Sequence, residues 1–165
     1  MKSIKQAQDA LLAGKVNSQA LVEQCLDAID TDGGQGSRAF TKVHKIKALA
    51  QAELIDIARN KNLDLAPYAG IPVSVKDLFD IAGDVTTAGS RVLSEETPAK
   101  KDAVVVERLK QAGFIIIGRT NMTEFAYSGL GINPHNGTPL NPYDRATGRI
   151  PGGSSSGAAV AQTDN

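Results

Sequence analysis

The stretch DAVVVERLKQAG, Asp102 to Gly113, followed at once by FIIIGRTN, constrains the fold more than any other. Asp102 is placed as a helix cap and Gly113 as the matching stop, so the segment reads as one complete helix. The run from Phe114 has no polar alternation, which suits a strand buried on both faces of a parallel sheet. Helix followed directly by buried strand is the second half of a βαβ unit. The chain therefore reads as an α/β protein.

Residues 1–65 read as mostly helical. Ile4, Ala7, Leu11 and Leu12 recur at helical spacing, and Gly14 is placed to end that helix. Ser18 is positioned to cap a second helix, with Leu21, Val22, Cys25, Leu26, Ala28 and Ile29 on its apolar stripe. Cys25 on that stripe reads as a core residue. A short strand, AFTKV, leads into a third helix from about Lys45 to Arg59, whose spacing predicts Ile46, Leu49, Ala50, Leu54 and Ile57 on the buried side. Residues 66–165 differ in character: AGIPVSVKDLFDIAG is β-rich between Gly70 and Gly83, and the chain beyond Asn121 is rich in Gly and Pro. A loop region that long is usually functional or disordered. All 165 residues read as part of one domain.

The 18 basic and 18 acidic residues balance, which gives no electrostatic footprint for nucleic acid or an anionic membrane. Aromatic residues are 4% and Trp is absent, so base-stacking platforms are not expected. The single cysteine excludes a disulfide framework within the chain. With no apolar leader core and no membrane-length apolar run, a cytoplasmic protein is expected.

Familiar signatures are missing. Gly129-x-Gly131 lacks the third glycine of a dinucleotide fingerprint, and neither a P-loop nor a G-x-S-x-G elbow is present. His44 and His135 have no metal-ligand spacing. His44 reads as structural, while His135 sits in a loop where a ligand can approach. Without a well-placed histidine, serine chemistry needs another base, and lysine is the known substitute. Lys76, in IPVSVKDLFD, ends an apolar β-like run. Burial there favours its neutral amine. The alternative is a strand-end lysine paired with Asp77 or Asp80. The GGSSSG stretch at 152–157 is likewise open between a flexible linker and a loop whose backbone and hydroxyls approach a ligand.

Taken together, GIPVSVKDLFDIAGDVTTAGS, GRTNMTEFAYSG and RIPGGSSSGAAVA resemble, in order, the motifs of the amidase signature family. The resemblance runs from about Tyr68 to Gln162. It implies a mixed sheet flanked by helices and a Ser-cisSer-Lys triad acting on carboxamides through an acyl-serine. On the matching positions Lys76 is the general base and Ser154 the bridging serine, with Ser155 holding the lysine by a hydrogen bond. Ser128 and Ala126 match positions that contact substrate. The family's nucleophile lies in a downstream T-D-x-G-G-S type loop that also supplies the oxyanion hole; no second Gly-Gly-Ser follows Ser156 here. The resemblance thus covers the N-terminal third of a family member, truncated before the nucleophile and expected to be inactive alone. It implies no cofactor and no metal. The implied partners are a small-molecule amide and, for the full-length protein, a second copy of itself in a homodimer. The alternative functions are the amidase subunit of the glutamyl-tRNA(Gln)/aspartyl-tRNA(Asn) amidotransferase and a non-catalytic remnant.

Overall fold

Strand β3 (Ile115–Thr120) has every residue buried and forms the middle of a three-stranded sheet in a computed structural model that describes residues 3–164. Strand β1 (Phe40–Val43) pairs with it antiparallel, and β2 (Pro72–Lys76) pairs parallel. Helix α5 (Val104–Gln111) connects β2 to β3, completing the βαβ unit. The sheet is thus mixed, not wholly parallel. Met1, at the start of the stretch read for a leader, lies outside the described residues, as do Lys2 and Asn165.

Three helices precede or flank β1 on the first half of the chain: α1 (Ile4–Leu12), α2 (Ser18–Asp30) and the single turn α3 (Gly36–Ala39). Helix α4 (Lys45–Asn60) follows β1, and α6 (Ser156–Thr163) ends the described chain. The main core joins Val22 and Leu26 of α2, Ala48 and Ala52 of α4, and Ile115 and Ile117 of β3. Cys25 packs against that cluster, and burial pushes its thiol pKa up, as suits an unreactive core position. A second cluster sets Ala7 and Leu11 of α1 against Leu21, Ile71 and Phe114. The third places Val106 of α5 on Val75 and Ile116.

Three local expectations are corrected. Helix α2 is capped by Asn17, whose Oδ1 accepts from Ala20 N at 2.8 Å. Ser18 is instead the first helical residue. Its N–H and that of Gln19 donate to the two carboxylate oxygens of Asp56, at 2.8 and 3.0 Å. A carboxylate from α4 thus satisfies two of the orphan donors of α2. Helix α5 is capped by Ala103, because the Asp102 carboxylate is already engaged. It accepts from Ala82 N at 2.8 Å and pairs with Lys110 at 2.6 Å. Helix α4 buries Ala48, Ala52 and Asp56, with Leu49 half-buried against the main core as expected, while Ile46, Ala50, Leu54 and Ile57 are exposed. Small side chains let α2 approach closely, so the alanine stripe, not the larger apolar one, faces inward.

Candidate active site

Lys76 is the last residue of β2 and lies in register with Thr120 at the end of β3. Its Nζ donates to Ser154 Oγ at 2.6 Å, a contact between residues 78 positions apart. Burial holds the lysine pKa below its ordinary value, with no charged group contributing to that shift. The ion-pair alternative is not formed. Asp77 is engaged by Arg119, and Asp80 accepts from Thr86 Oγ1 at 2.7 Å.

The GGSSSG stretch is a packed loop, not a linker. Gly153 N donates to Gly129 O at 2.8 Å, and Ser154 O accepts from Thr123 N at 3.0 Å. A Cβ on Gly153 would lie 2.7 Å from Gly131 N and 2.8 Å from Thr123 Oγ1, so no side chain fits there. Gly157, in the first turn of α6, is equally confined: a Cβ would lie 2.1 Å from Ala39 O. Its N–H donates to Asn121 O at 2.9 Å, tying the helix to the end of β3. The Gly153–Ser154 peptide is cis.

The other sequence-derived positions border this loop. Ser155 is exposed at the N-cap of α6. The lysine's hydrogen bond goes to Ser154, and none to Ser155 is formed among the described residues. Ala126 closes a short turn, Glu124–Ala126, in which Phe125 and Ala126 both adopt left-handed backbone (φ 52° and 56°). Side chains rarely accept that conformation. Half-buried Ser128 accepts from Leu130 N at 3.2 Å and precedes Gly129, whose carbonyl holds Gly153. Main-chain contacts thus bring the Glu124–Gly129 segment against the serine loop. His44 Nε2 lies 2.7 Å from Asp84, and His135 Nε2 lies 3.3 Å from Glu124.

Sequence reasoning missed the residues that hold this region together. Asn121 donates to Arg38 O and Gly137 O, both at 2.7 Å, and its Oδ1 accepts from Met122 N. Asn133, fully buried, donates to Gly89 O and Met122 O at 2.8 Å and accepts from His135 N and Asn136 N. Two asparagines therefore replace regular structure as the organisers of the long loop. The available signal was their position in a Gly/Pro-rich stretch, where Asn side chains satisfy turn backbone. Arg119 was the third omission, a cation inside a strand whose neighbours are otherwise apolar or small.

Elsewhere a cleft of about 260 Å³ opens beside the β2 edge, lined by Leu21, Phe40, Ile71, Val73, Phe114 and Ala158. It does not include Lys76 or Ser154. No helix among the described residues is long and apolar enough to cross a membrane.

A lysine and a serine in hydrogen-bond contact, at the end of a parallel strand pair and the start of a helix, define an α/β protein with a lysine–serine site. The chain belongs to the amidase family, whose model matches residues 20–162. It is 43% identical over 155 residues to AtzE, a 1-carboxybiuret hydrolase component of Pseudomonas sp. (strain ADP), covering 93% of this chain and 33% of that one. It is 41% identical over 160 residues to a glutamyl-tRNA(Gln) amidotransferase subunit of Cupriavidus necator, covering 96% of this chain and 30% of that one. Among solved structures, native peptide amidase from Stenotrophomonas maltophilia superposes with a TM-score of 0.84 at 33% identity, covering 96% of this chain and 33% of that one. A chain from a vestigial protein complex bearing on the origins of an s-triazine catabolic enzyme gives 0.88 at 42% identity, covering 99% and 35%. The chain spans about a third of the length of the curated relatives it matches.

Proposed function

We propose that this chain supplies the base and the proton relay of an amidase that hydrolyses a carboxamide to acid and ammonia through an acyl-serine. The 2.6 Å contact between Lys76 Nζ and Ser154 Oγ carries the reading. In its neutral form Lys76 accepts the hydroxyl proton of Ser154, and Ser154 takes the proton of a nucleophilic serine as that oxygen bonds to the amide carbon. The proton returns through Ser154 to the leaving nitrogen when the C–N bond breaks. Water then cleaves the acyl-serine by the same route in reverse. Burial lowers the lysine pKa, which favours the base form near neutral pH. Ala126 and Ser128 contact the acyl part of the substrate. The nucleophile lies outside these 165 residues, so the isolated chain turns over no amide. The single cysteine suits a cytoplasmic setting.

The test is a chimera joining this chain to the downstream two thirds of AtzE. Amide hydrolysis by the chimera, lost by at least about 100-fold in Lys76→Ala and Ser154→Ala, is the expected outcome. Turnover by the isolated chain that depends on Lys76 overturns the reading.

A second reading is favoured by the 41% identity to the glutamyl-tRNA(Gln) amidotransferase relative. In it the same machinery releases ammonia from an amide for use by a partner protein. Preference for glutamine over simple carboxamides in the chimera separates the two.

A further inference from the structure

Two successive non-glycine residues, Phe125 and Ala126, hold left-handed backbone at φ 52° and 56°. A side chain disfavours that conformation, so neighbouring contacts must hold each one in place. Main-chain bonds fix part of the turn: Phe125 N donates to Ala88 O at 2.9 Å, and Ala126 N to Thr123 O at 2.8 Å. Ala88 is itself left-handed, at φ 50°, and lies in a turn over residues 87–90 that Ser90 N closes on Thr87 O. That second turn is anchored on the residue after Lys76. Ala88 N donates to Asp77 O at 2.9 Å and Gly89 N to Asp77 Oδ2 at 3.2 Å. One carboxylate joins the two turns by side chains. Glu124 Oε1 accepts from the buried Ser90 Oγ at 2.6 Å, and His135 Nε2 lies 3.3 Å from the same oxygen. Ser90 Oγ also accepts from Val92 N at 3.2 Å, so the hydroxyl is oriented with its proton on the carboxylate.

We infer that Glu124 is a positioning residue for the acyl-contact turn: its carboxylate bolts the Glu124–Ala126 turn to residues 87–90 and so fixes where Ala126 stands. Because residues 87–90 hang from Asp77, the bolt refers the substrate-contact segment to the strand end that carries Lys76. It also offsets the strain of Phe125 and Ala126, which without it relax toward the ordinary right-handed region. His135 thereby gains a task, as the second group closed on the same carboxylate oxygen. The inference rests on the reading that Ala126 and Ser128 contact the acyl group, but its first test does not depend on catalysis.

The experiment is backbone amide exchange in the 165-residue chain, followed by NMR. Glu124→Ala speeds exchange at Phe125 and Ala126 by about tenfold and leaves the β3 amides at their wild-type rates. Glu124→Gln, which keeps an oxygen acceptor for Ser90, retains the protection. Adding Phe125→Gly to Glu124→Ala restores protection at Ala126, because glycine takes the left-handed conformation without strain. A general loss of structure would not be repaired by that glycine. Unchanged exchange in Glu124→Ala, an equal rise along β3, or no recovery with the glycine overturns the inference. Should Glu124→Ala prove unfolded by circular dichroism, Ser90→Ala removes the other half of the bolt and decides by the same rates. In the chimera with AtzE, Glu124→Ala raises KM about tenfold while kcat stays within about twofold. If exchange responds as stated and KM does not move, the acyl contact falls and the purpose of the bolt with it. If exchange fails while the chimera still depends on Lys76, only the role of Glu124 falls.

Discussion

His44 and Asp84 meet at 2.7 Å, and each responds to the contact differently. Burial lowers the His44 pKa and outweighs the pull of the carboxylate, so the ring is neutral and donates to Asp84. For Asp84, burial opposes ionisation, but the Lys42 hydrogen bond and the neighbouring His44 prevail and its pKa falls. The signs give two acid-side losses of stability. A histidine depressed in the folded state binds its proton more readily when unfolded. Its contribution is therefore full above the ordinary histidine range and lost as pH falls through that range to the folded value. The Asp84 contribution is retained until pH drops through its own depressed value. Urea midpoints should decline between roughly pH 7 and 5, and His44→Gln should flatten that slope. A wild-type curve flat over the same interval contradicts it. At this scale the sequence was informative for Lys76, where an apolar run and a following motif marked one side chain. It was silent on Arg119, because its partner Asp77 lies 42 residues away and no periodicity encodes that pairing.

At the level of elements, α2 begins with two kinds of cap at once. The Asn17 side chain serves Ala20 N locally, while Asp56 reaches across from α4 to Ser18 N and Gln19 N. Asn17→Ala should cost about 1 kcal/mol, the usual value for an exposed cap. Asp56→Ala should cost more, about 2–3 kcal/mol, since it strips the acceptors from two backbone donors at the buried start of the helix. Chemical denaturation of both variants checks the order, and equal losses contradict it. Helices α1, α2, α4 and α5 were legible from spacing, with two caps one residue away from the expected ones, Asn17 for Ser18 and Ala103 for Asp102, but the face that α4 buries was not. Ranking its faces by apolar bulk selects Ile46, Leu54 and Ile57, whereas contact with α2 selects Ala48 and Ala52. Packing distance decided, and a single sequence does not state the distance between two helices.

Across the whole molecule, apolar surface remains uncovered. Ile46, Leu54, Phe125, Tyr127 and Tyr143 are all more than half exposed, and β2 is paired with β3 on one side only. Such surface and an open strand edge favour association between copies. The isolated chain should therefore sediment as a concentration-dependent mixture. Ile46→Lys, at a site 86% exposed, should shift that mixture toward monomer without lowering the melting temperature. A wild-type chain that stays monomeric at high concentration contradicts the prediction. The mixed sheet and the family followed from three ordered motifs. The contacts that assemble the site did not, because they pass through main-chain groups of glycines and through two buried asparagines.

The clamps on the serine loop carry a consequence for how such a chain varies. Thr123 N holds Ser154 O and Gly129 O holds Gly153 N, so the stretch between them leaves and returns at fixed points. Its tip is closed on itself, with Asn141 N bonded to Arg149 O and Asp144 receiving Thr147 and Arg149. Beyond an exposed pair between Arg145 and Asp164, the tip leans little on the rest. Length and composition there are free to drift while the serine stays in place beside its lysine. New surface can be tried at the tip without reopening the chemistry at its base.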